Sequence, residues 1–263
     1  MIGCIIQARM GSTRLPGKVM MPADKDNPML FSVIKQIEKS KLIEKIVVAT
    51  TELDEDHVIE KFLDKLDITC FRGNSEDVLD RYYNCAQKFS FSTIVRITGD
   101  CPLNDYNVID KTIKGFLDQE YDYMSNSRPV TYPYGISVEV FSFNALKKAW
   151  KEAKKPSERE HVTPYFYNHP EKFHIGNIKY KKNISKIRIM VDHKEDLVLV
   201  REVFKNIQKR PILLEDIIEY FKDNEELIKI NQNFLPNEGF LKSLNKDKEF
   251  LKSIRKIKSN EKN

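Results

Sequence analysis

The 263-residue chain is sparing with the residues that punctuate or cross-link a fold. Its nine glycines and eleven prolines are too few for a collagen-like or low-complexity polypeptide, and no segment repeats at solenoid periods. No run approaches the roughly 18 apolar residues that a membrane helix needs. The four cysteines, Cys4, Cys70, Cys85 and Cys101, form no Cys-x-x-Cys pair. They therefore indicate neither a disulfide framework nor a structural zinc site, and reduced, mostly buried thiols are expected. Met1 runs directly into Ile2-Gly3-Cys4-Ile5-Ile6, too short for a signal peptide's apolar stretch and without a basic lead, which points to a cytoplasmic address. Excess charge is scarce as well. The formal +5 lies entirely beyond Leu241, where eight basic side chains face three acidic ones, and the rest of the chain carries 36 of each sign. Its body therefore has no general electrostatic affinity for nucleic acid or anionic lipid, and no membrane insertion is expected. Leu244, Leu251, Ile254 and Ile257 set a thin apolar stripe through the basic tail, the pattern of a solvated helix docked on the body.

Against these absences stand 41% hydrophobic and 32% charged residues, a composition that supports a sizeable folded core. The first two-thirds alternates β-rich and helical patterns: strands at 2–7, 45–50, 68–71 and 93–97, with helices at 29–40, 55–65, 76–89 and 106–120. Cys4-Ile5-Ile6, Ile46-Val47-Val48 and Ile94-Val95 are apolar on both faces, as a parallel sheet covered by helices on each side requires. A three-layer α/β/α sandwich follows. The second half adds strands at 136–141, 173–178 and 186–190 and helices at 144–154, 158–167, 195–208 and 213–230, with a soft boundary between 210 and 240.

The segment after the first strand, Gln7-Ala8-Arg9-Met10-Gly11-Ser12-Thr13-Arg14-Leu15-Pro16-Gly17-Lys18, packs three cations, two hydroxyls and two glycines into the ten residues from Arg9. It begins where ligands of parallel sheets bind, beyond the carboxyl ends of the strands. Glycines there let backbone amides approach phosphate oxygens, and arginine and lysine neutralise them. The spacing excludes a Walker loop, because five residues separate Gly11 from Gly17 and Val19 follows Lys18, and no Gly-x-Gly-x-x-Gly occurs. Two later strands each end in an aspartate. Thr98-Gly99-Asp100 delivers a hard oxygen donor suited to Mg2+, or else an Asx turn. Asp192 follows Val191, and Glu195 three residues on fits a helix-capping box as well as it fits a metal site. Asp54-Glu55-Asp56 opens a polar helix, so helix-start acids account for it better than an Asp-x-Asp motif. His161, His169 and His174 lack the close pairing of a zinc site.

The first loop, Gly99-Asp100-Cys101-Pro102-Leu103 and Val191-Asp192-x-x-Glu195-Asp196-Leu197 together resemble the cytidylyltransferase group that includes CMP-Kdo synthetase and acylneuraminate cytidylyltransferase, most closely its spore-coat polysaccharide F branch. Further similar segments are Arg72–Tyr82, Tyr132–Phe141 and Glu158–Tyr165, so the likeness spans residues 1–205. It implies a Rossmann-like nucleotide-diphospho-sugar transferase (GT-A-like) fold, with a nucleotidyltransferase domain at 1–210 and a helical C-terminal extension with a basic tail at 211–263. It implies CTP and a small-molecule acceptor, an acidic sugar or phosphorylated compound, as substrates, Mg2+ as cofactor, and a soluble, commonly homodimeric enzyme without a nucleic-acid partner. By motif position Arg9, Gly11, Ser12, Arg14 and Lys18 become phosphate ligands, with Gln7 and Ala8 nearer the base. Arg72, Asn74, Thr98 and Gly99 become further nucleotide contacts, while Ser75 suits the cap of the next helix. Asp100 and Asp192 become joint Mg2+ ligands, and Arg14 and Lys18 stabilise the leaving pyrophosphate. Tyr134, Gly135, Ser137, Glu139, Glu160 and His161 line the acceptor pocket, with Glu139 or His161 orienting or deprotonating the acceptor. Ser137 stands where the branch carries Asp, which bears on the acceptor. A GTP- or UTP-dependent transferase and a non-enzymatic nucleotide-binding protein acting through its basic tail are the competing readings.

Overall fold

The computed structural model describes residues 1–260, with side chains up to Ile254. Strand β1 (Ile2–Gln7) leads through the first loop and a 3-10 turn (Lys18–Met20) to a small hairpin, β2 (Pro22–Asp24) and β3 (Asn27–Pro28), and then to α1 (Met29–Ile37). The alternation continues as β4 (Lys45–Thr51), α2 (His57–Asp64), β5 (Thr69–Gly73), α3 (Val78–Lys88), β6 (Thr93–Thr98) and α4 (Tyr106–Asp118). Strands β7 (Tyr123–Ser125) and β8 (Glu139–Ser142) precede α5 (Phe143–Glu152), α6 (Pro156–His161), α7 (Pro164–Asn168) and β9 (Ile175–Asn177). The chain ends with α8 (Lys194–Asn206), α9 (Leu214–Asp223), a 3-10 stretch (Glu225–Ile230) and α10 (Glu238–Asn260).

One seven-stranded sheet runs β5-β4-β1-β6-β8-β7-β9. Only β8 is antiparallel to its neighbours, so the sheet is mostly parallel. Alternate residues of β1 feed two separate cores. Cys4 and Ile6 join Val48, Val95 and Ile97 under α1, α2, α4, α8 and α9, while Ile5 joins Val47, Ala49, Ile94 and Phe141 under α3, α5 and α7. This is the three-layer sandwich that two-faced strands demand. Among the described residues no helix is long and apolar enough to cross a membrane.

The structure corrects several expectations. The segment at 186–190 joins no ladder. It makes one bridge, Tyr134 to Arg188, because its backbone is taken up by the turn around Tyr134. The helix expected over 158–167 is two helices, since Val162 at φ 69° and Pro164 break it, and that over 213–230 ends at Asp223. Ile212, Leu214, Ile217, Phe221 and Ile228, from the segment beyond residue 210, pack in the same cluster as Cys4 and Ile6. The tail is helical, but Leu244 and Leu251 of its expected stripe stay exposed. What docks is polar: buried Asp247 accepts from the Ser157 amide at 2.8 Å and its hydroxyl at 2.6 Å. The Ile257 side chain and the basic side chains from Arg255 onward lie outside the described residues. All four cysteines are free, three of them buried.

Candidate active site

The strand order turns back at the β1–β6 pair, and a crevice opens at the carboxyl ends of such a pair. The first loop leaves β1 at this point. A side chain at Gly99 would bring its Cβ to 3.1 Å from the Gln7 carbonyl oxygen and the Ala8 Cβ, so any larger residue would press the segment after β6 away from the start of the loop by a few tenths of an ångström. The Gly99 amide donates to that carbonyl at 2.8 Å. Asp56, fully buried, holds the loop from below. Its carboxylate accepts from the Met10 amide at 2.7 Å, Thr50 Oγ1 at 2.9 Å and the Thr51 amide at 3.0 Å, and from Thr51 Oγ1. The Gly17 amide closes the loop onto the Met10 carbonyl at 2.8 Å. Among the described residues the amides of Gly11, Thr13 and Arg14 donate to no protein acceptor, so the loop carries spare backbone donors at the crevice.

Lys18 ties the crevice together. Its ammonium donates to Asp100 Oδ2 at 2.8 Å, Asp192 Oδ1 at 2.8 Å and the Val191 carbonyl at 2.7 Å. Arg14 Nη2 lies 2.5 Å from the same Asp192 oxygen. Burial opposes the charge on Asp100, but Lys18 and the Thr98 and Cys101 hydrogen bonds outweigh it and hold the carboxyl down at about 2. Burial likewise works against the Lys18 ammonium, and the two carboxylates more than restore it, raising its pKa.

Neither aspartate caps a helix. Helix α4 is capped by Asp105, whose carboxylate takes the Asn107 amide at 2.7 Å. At α8 the work falls to Asp196, which accepts the Asp192 and His193 amides at 2.9 Å each and pairs with Arg188 at 2.7 and 2.9 Å. Asp192 is thereby released to face Lys18. Two carboxylates sharing one ammonium are spaced to share a cation. Hard oxygen donors of this kind suit Mg2+, which takes one or two carboxylates and completes its shell with water and substrate oxygens. No group of three or more His, Cys, Asp or Glu among the described residues could hold a metal without such help.

Residues 3–242 match the family profile described as cytidylyltransferase. The chain belongs to the cytidylyltransferase family. It is similar to an uncharacterized protein of Methanocaldococcus jannaschii, at 38% identity over 87% of this chain and 93% of the relative. It is also similar to the spore coat polysaccharide biosynthesis protein SpsF of Bacillus subtilis, at 33% identity over 79% of this chain and 88% of that one. A cytidylyltransferase structure from Leptospira borgpetersenii superposes with a TM-score of 0.83 at 33% identity, covering 90% of this chain and 99% of the other. The enzyme is a nucleotidyltransferase with the Rossmann-like fold.

Around this centre the enzyme arranges the remaining expected residues unevenly. Gln7, Thr98 and Gly99 stand at the β1 and β6 ends, with Thr98 Oγ1 on Asp100 at 2.6 Å. Ser12 closes the loop internally, its hydroxyl accepting the Leu15 amide at 3.4 Å. Arg72 is spent elsewhere: its nitrogens bind the Thr51 and Leu53 carbonyls and Glu60. Asn74 accepts the Glu76 and Asp77 amides, and Asp77 rather than Ser75 caps α3. Glu139 is no free base, because Arg96 takes one oxygen and Tyr123 Oη donates to the other at 2.6 Å. Tyr134 lines a separate cleft of about 470 Å3 with Arg188 and Phe234. Gly135, at φ 110°, lets the 189–190 backbone pass where a Cβ would meet the Met190 nitrogen at 2.5 Å. The Ser137 carbonyl accepts from Asn104 at 3.4 Å.

Glu160 and His161 face α10, both contacting Ser243 Oγ at 2.9 Å. Burial drives the His161 imidazole down to about 4, so it is neutral at neutral pH. The tail also reaches the crevice directly. Glu238 Oε2 lies 3.2 Å from His193 Nε2 and 4.0 Å from Arg14 Nε. Sequence reasoning missed Asp56, Asp196 and Glu238. The paired hydroxyls Thr50-Thr51 were the available signal for the first, and the Glu195-Asp196 doublet left the second ambiguous.

Proposed function

We propose that the enzyme transfers CMP from CTP to an acidic sugar or phosphorylated small molecule, releasing pyrophosphate, in a Mg2+-dependent step of surface polysaccharide or glycan assembly. The observation that carries this reading is the convergence of Lys18, Arg14, Asp100 and Asp192 at the β1–β6 crevice. In the reaction an acceptor oxygen attacks the α-phosphorus, the bond to the β-phosphate breaks, and pyrophosphate leaves with the electron pair. Arg14 and Lys18 meet the charge that builds on the leaving oxygens, and the loop amides with Arg9, Gly11 and Ser12 hold the phosphates in line. Asp100 and Asp192 would bind Mg2+ with phosphate oxygens, which screens the triphosphate and polarises the α-phosphorus.

The test is the denaturation midpoint with CTP, GTP, UTP and ATP, each with and without Mg2+, because a bound ligand stabilises the fold by mass action. A large shift with Mg2+ and CTP alone is expected. An equal shift with GTP or UTP would replace the donor, and no shift with any nucleotide would contradict the reading.

A further inference from the structure

Arg81 on α3 is fully buried, and its Nε, Nη1 and Nη2 form no hydrogen bond with any described residue. A guanidinium carries five donors and keeps its charge, so sealing it without acceptors works strongly against the fold. Leucine or methionine would fill the same volume without that penalty. The acids nearby are turned to other donors. Asp77 is committed to Arg159 and the Asp80 amide, and both Asp56 oxygens are committed to Met10, Thr50 and Thr51. Burial, with Arg9 as a like-charged neighbour, pulls the Arg81 pKa to about 10 against weaker support from Tyr82, Asp56 and Asp77. Arg9 itself makes no hydrogen bond or ion pair among the described residues, so nothing holds it in place.

The position of Arg81 is specific. Its Cγ lies 3.2 Å from where a Cβ of Gly73 would stand, at the carboxyl end of β5. Strands β5 and β6 are three strand spacings apart in the sheet, about 14 Å. Arg81 thus occupies the same sheet edge as the Lys18 centre but on the far side of the first loop, opposite the triphosphate end.

We propose that Arg81 reads the nucleotide base, donating its fork to the adjacent acceptors O2 and N3 of cytosine. The proposal rests on the CTP reading above. Cytosine presents two neighbouring acceptors on its Watson–Crick edge. Uracil carries an N–H at N3 and guanine an N–H at N1, so the fork that pairs with cytosine meets a donor in either. A bidentate arginine contact of this kind discriminates by on the order of tenfold to a hundredfold.

Dissociation constants for CTP, UTP and inorganic pyrophosphate, each with Mg2+, test the proposal in wild type, Arg81→Lys and Arg81→Met. Arg81→Lys keeps the charge and loses the fork. It is expected to reduce the CTP-over-UTP preference by on the order of tenfold to a hundredfold while leaving pyrophosphate affinity unchanged. Arg81→Met removes an unpaired buried charge and should melt no lower than wild type without ligand. An unchanged CTP-over-UTP ratio in Arg81→Lys overturns the proposal. So does a lowered midpoint in Arg81→Met, which would show a structural role. Wild type without a CTP preference would instead defeat the donor assignment.

Discussion

Replacing Lys18 with methionine keeps the length of the side chain and removes the ammonium that joins Asp100 to Asp192. The two carboxylates then remain in a buried crevice, with Arg14 reaching only the Asp192 side at 2.5 Å. Breaking a buried pair by removing one partner costs about 3–5 kcal/mol. Asp100 retains some solvent contact, so the lower value applies, about 3 kcal/mol. For a chain of this size each kcal/mol moves the midpoint by roughly 2–4 °C, so Lys18→Met should melt roughly 6–12 °C below wild type. A divalent cation can replace the lost charge. Calorimetry of the variant should therefore show a larger Mg2+-dependent rise in midpoint than wild type, in which Lys18 already neutralises the pair. A variant that melts within about 2 °C of wild type and ignores Mg2+ would refute the electrostatic account of the crevice.

Asp56→Ala should lower stability by about 3 kcal/mol, because the Met10 and Thr51 amides lose their buried acceptor. It should also weaken nucleotide binding at least about tenfold by freeing the loop, as measured by titration calorimetry. The His161 imidazole is held neutral at about 4 by burial. A depressed histidine contributes stability above its unfolded pKa, about 6.5, that is lost as pH falls toward the folded value. The wild-type midpoint should therefore decline between about pH 6.5 and 4, and His161→Asn should flatten that part of the profile. An identical profile in the two would exclude the effect. Asp247→Ala leaves the Ser157 amide and hydroxyl without their acceptor and should cost about 1–3 kcal/mol. Amide protection should fall in α10 while that of β1 and β6 is kept.

Much of the sandwich was legible because its signal is periodic: strands apolar on both faces alternate with helices, and the first loop declares itself by composition. The short strand β7 was not legible, because three residues carry no period. The misread stretch at 186–190 has the apolar alternation of a strand, yet hydrogen bonds at Tyr134 consume its backbone. At the site, the residue types of Lys18, Asp100 and Asp192 suggested their chemistry. Their convergence depends on folding across 174 positions, which no local pattern displays. The capping ambiguity at Asp192 closed only when Asp196 was seen to take the amides. Arg72 shows the reverse case: its cationic fork suits a ligand, and in the fold three of its donors go to the Thr51 and Leu53 carbonyls and Glu60. The tail stripe failed because the polar face of α10, through Ser243 and Asp247, found buried partners first.

Pyrophosphate release from CTP, followed across a panel of acidic sugars and phosphorylated acceptors in wild type, Asp100→Ala and Asp192→Ala, tests the central claim most directly. Wild type should turn over with Mg2+ and one acceptor class, and each folded variant should lose at least about a hundredfold in rate, the scale of removing a transition-state charge stabiliser. Near-normal turnover in either variant would contradict the assignment of the crevice as the catalytic centre.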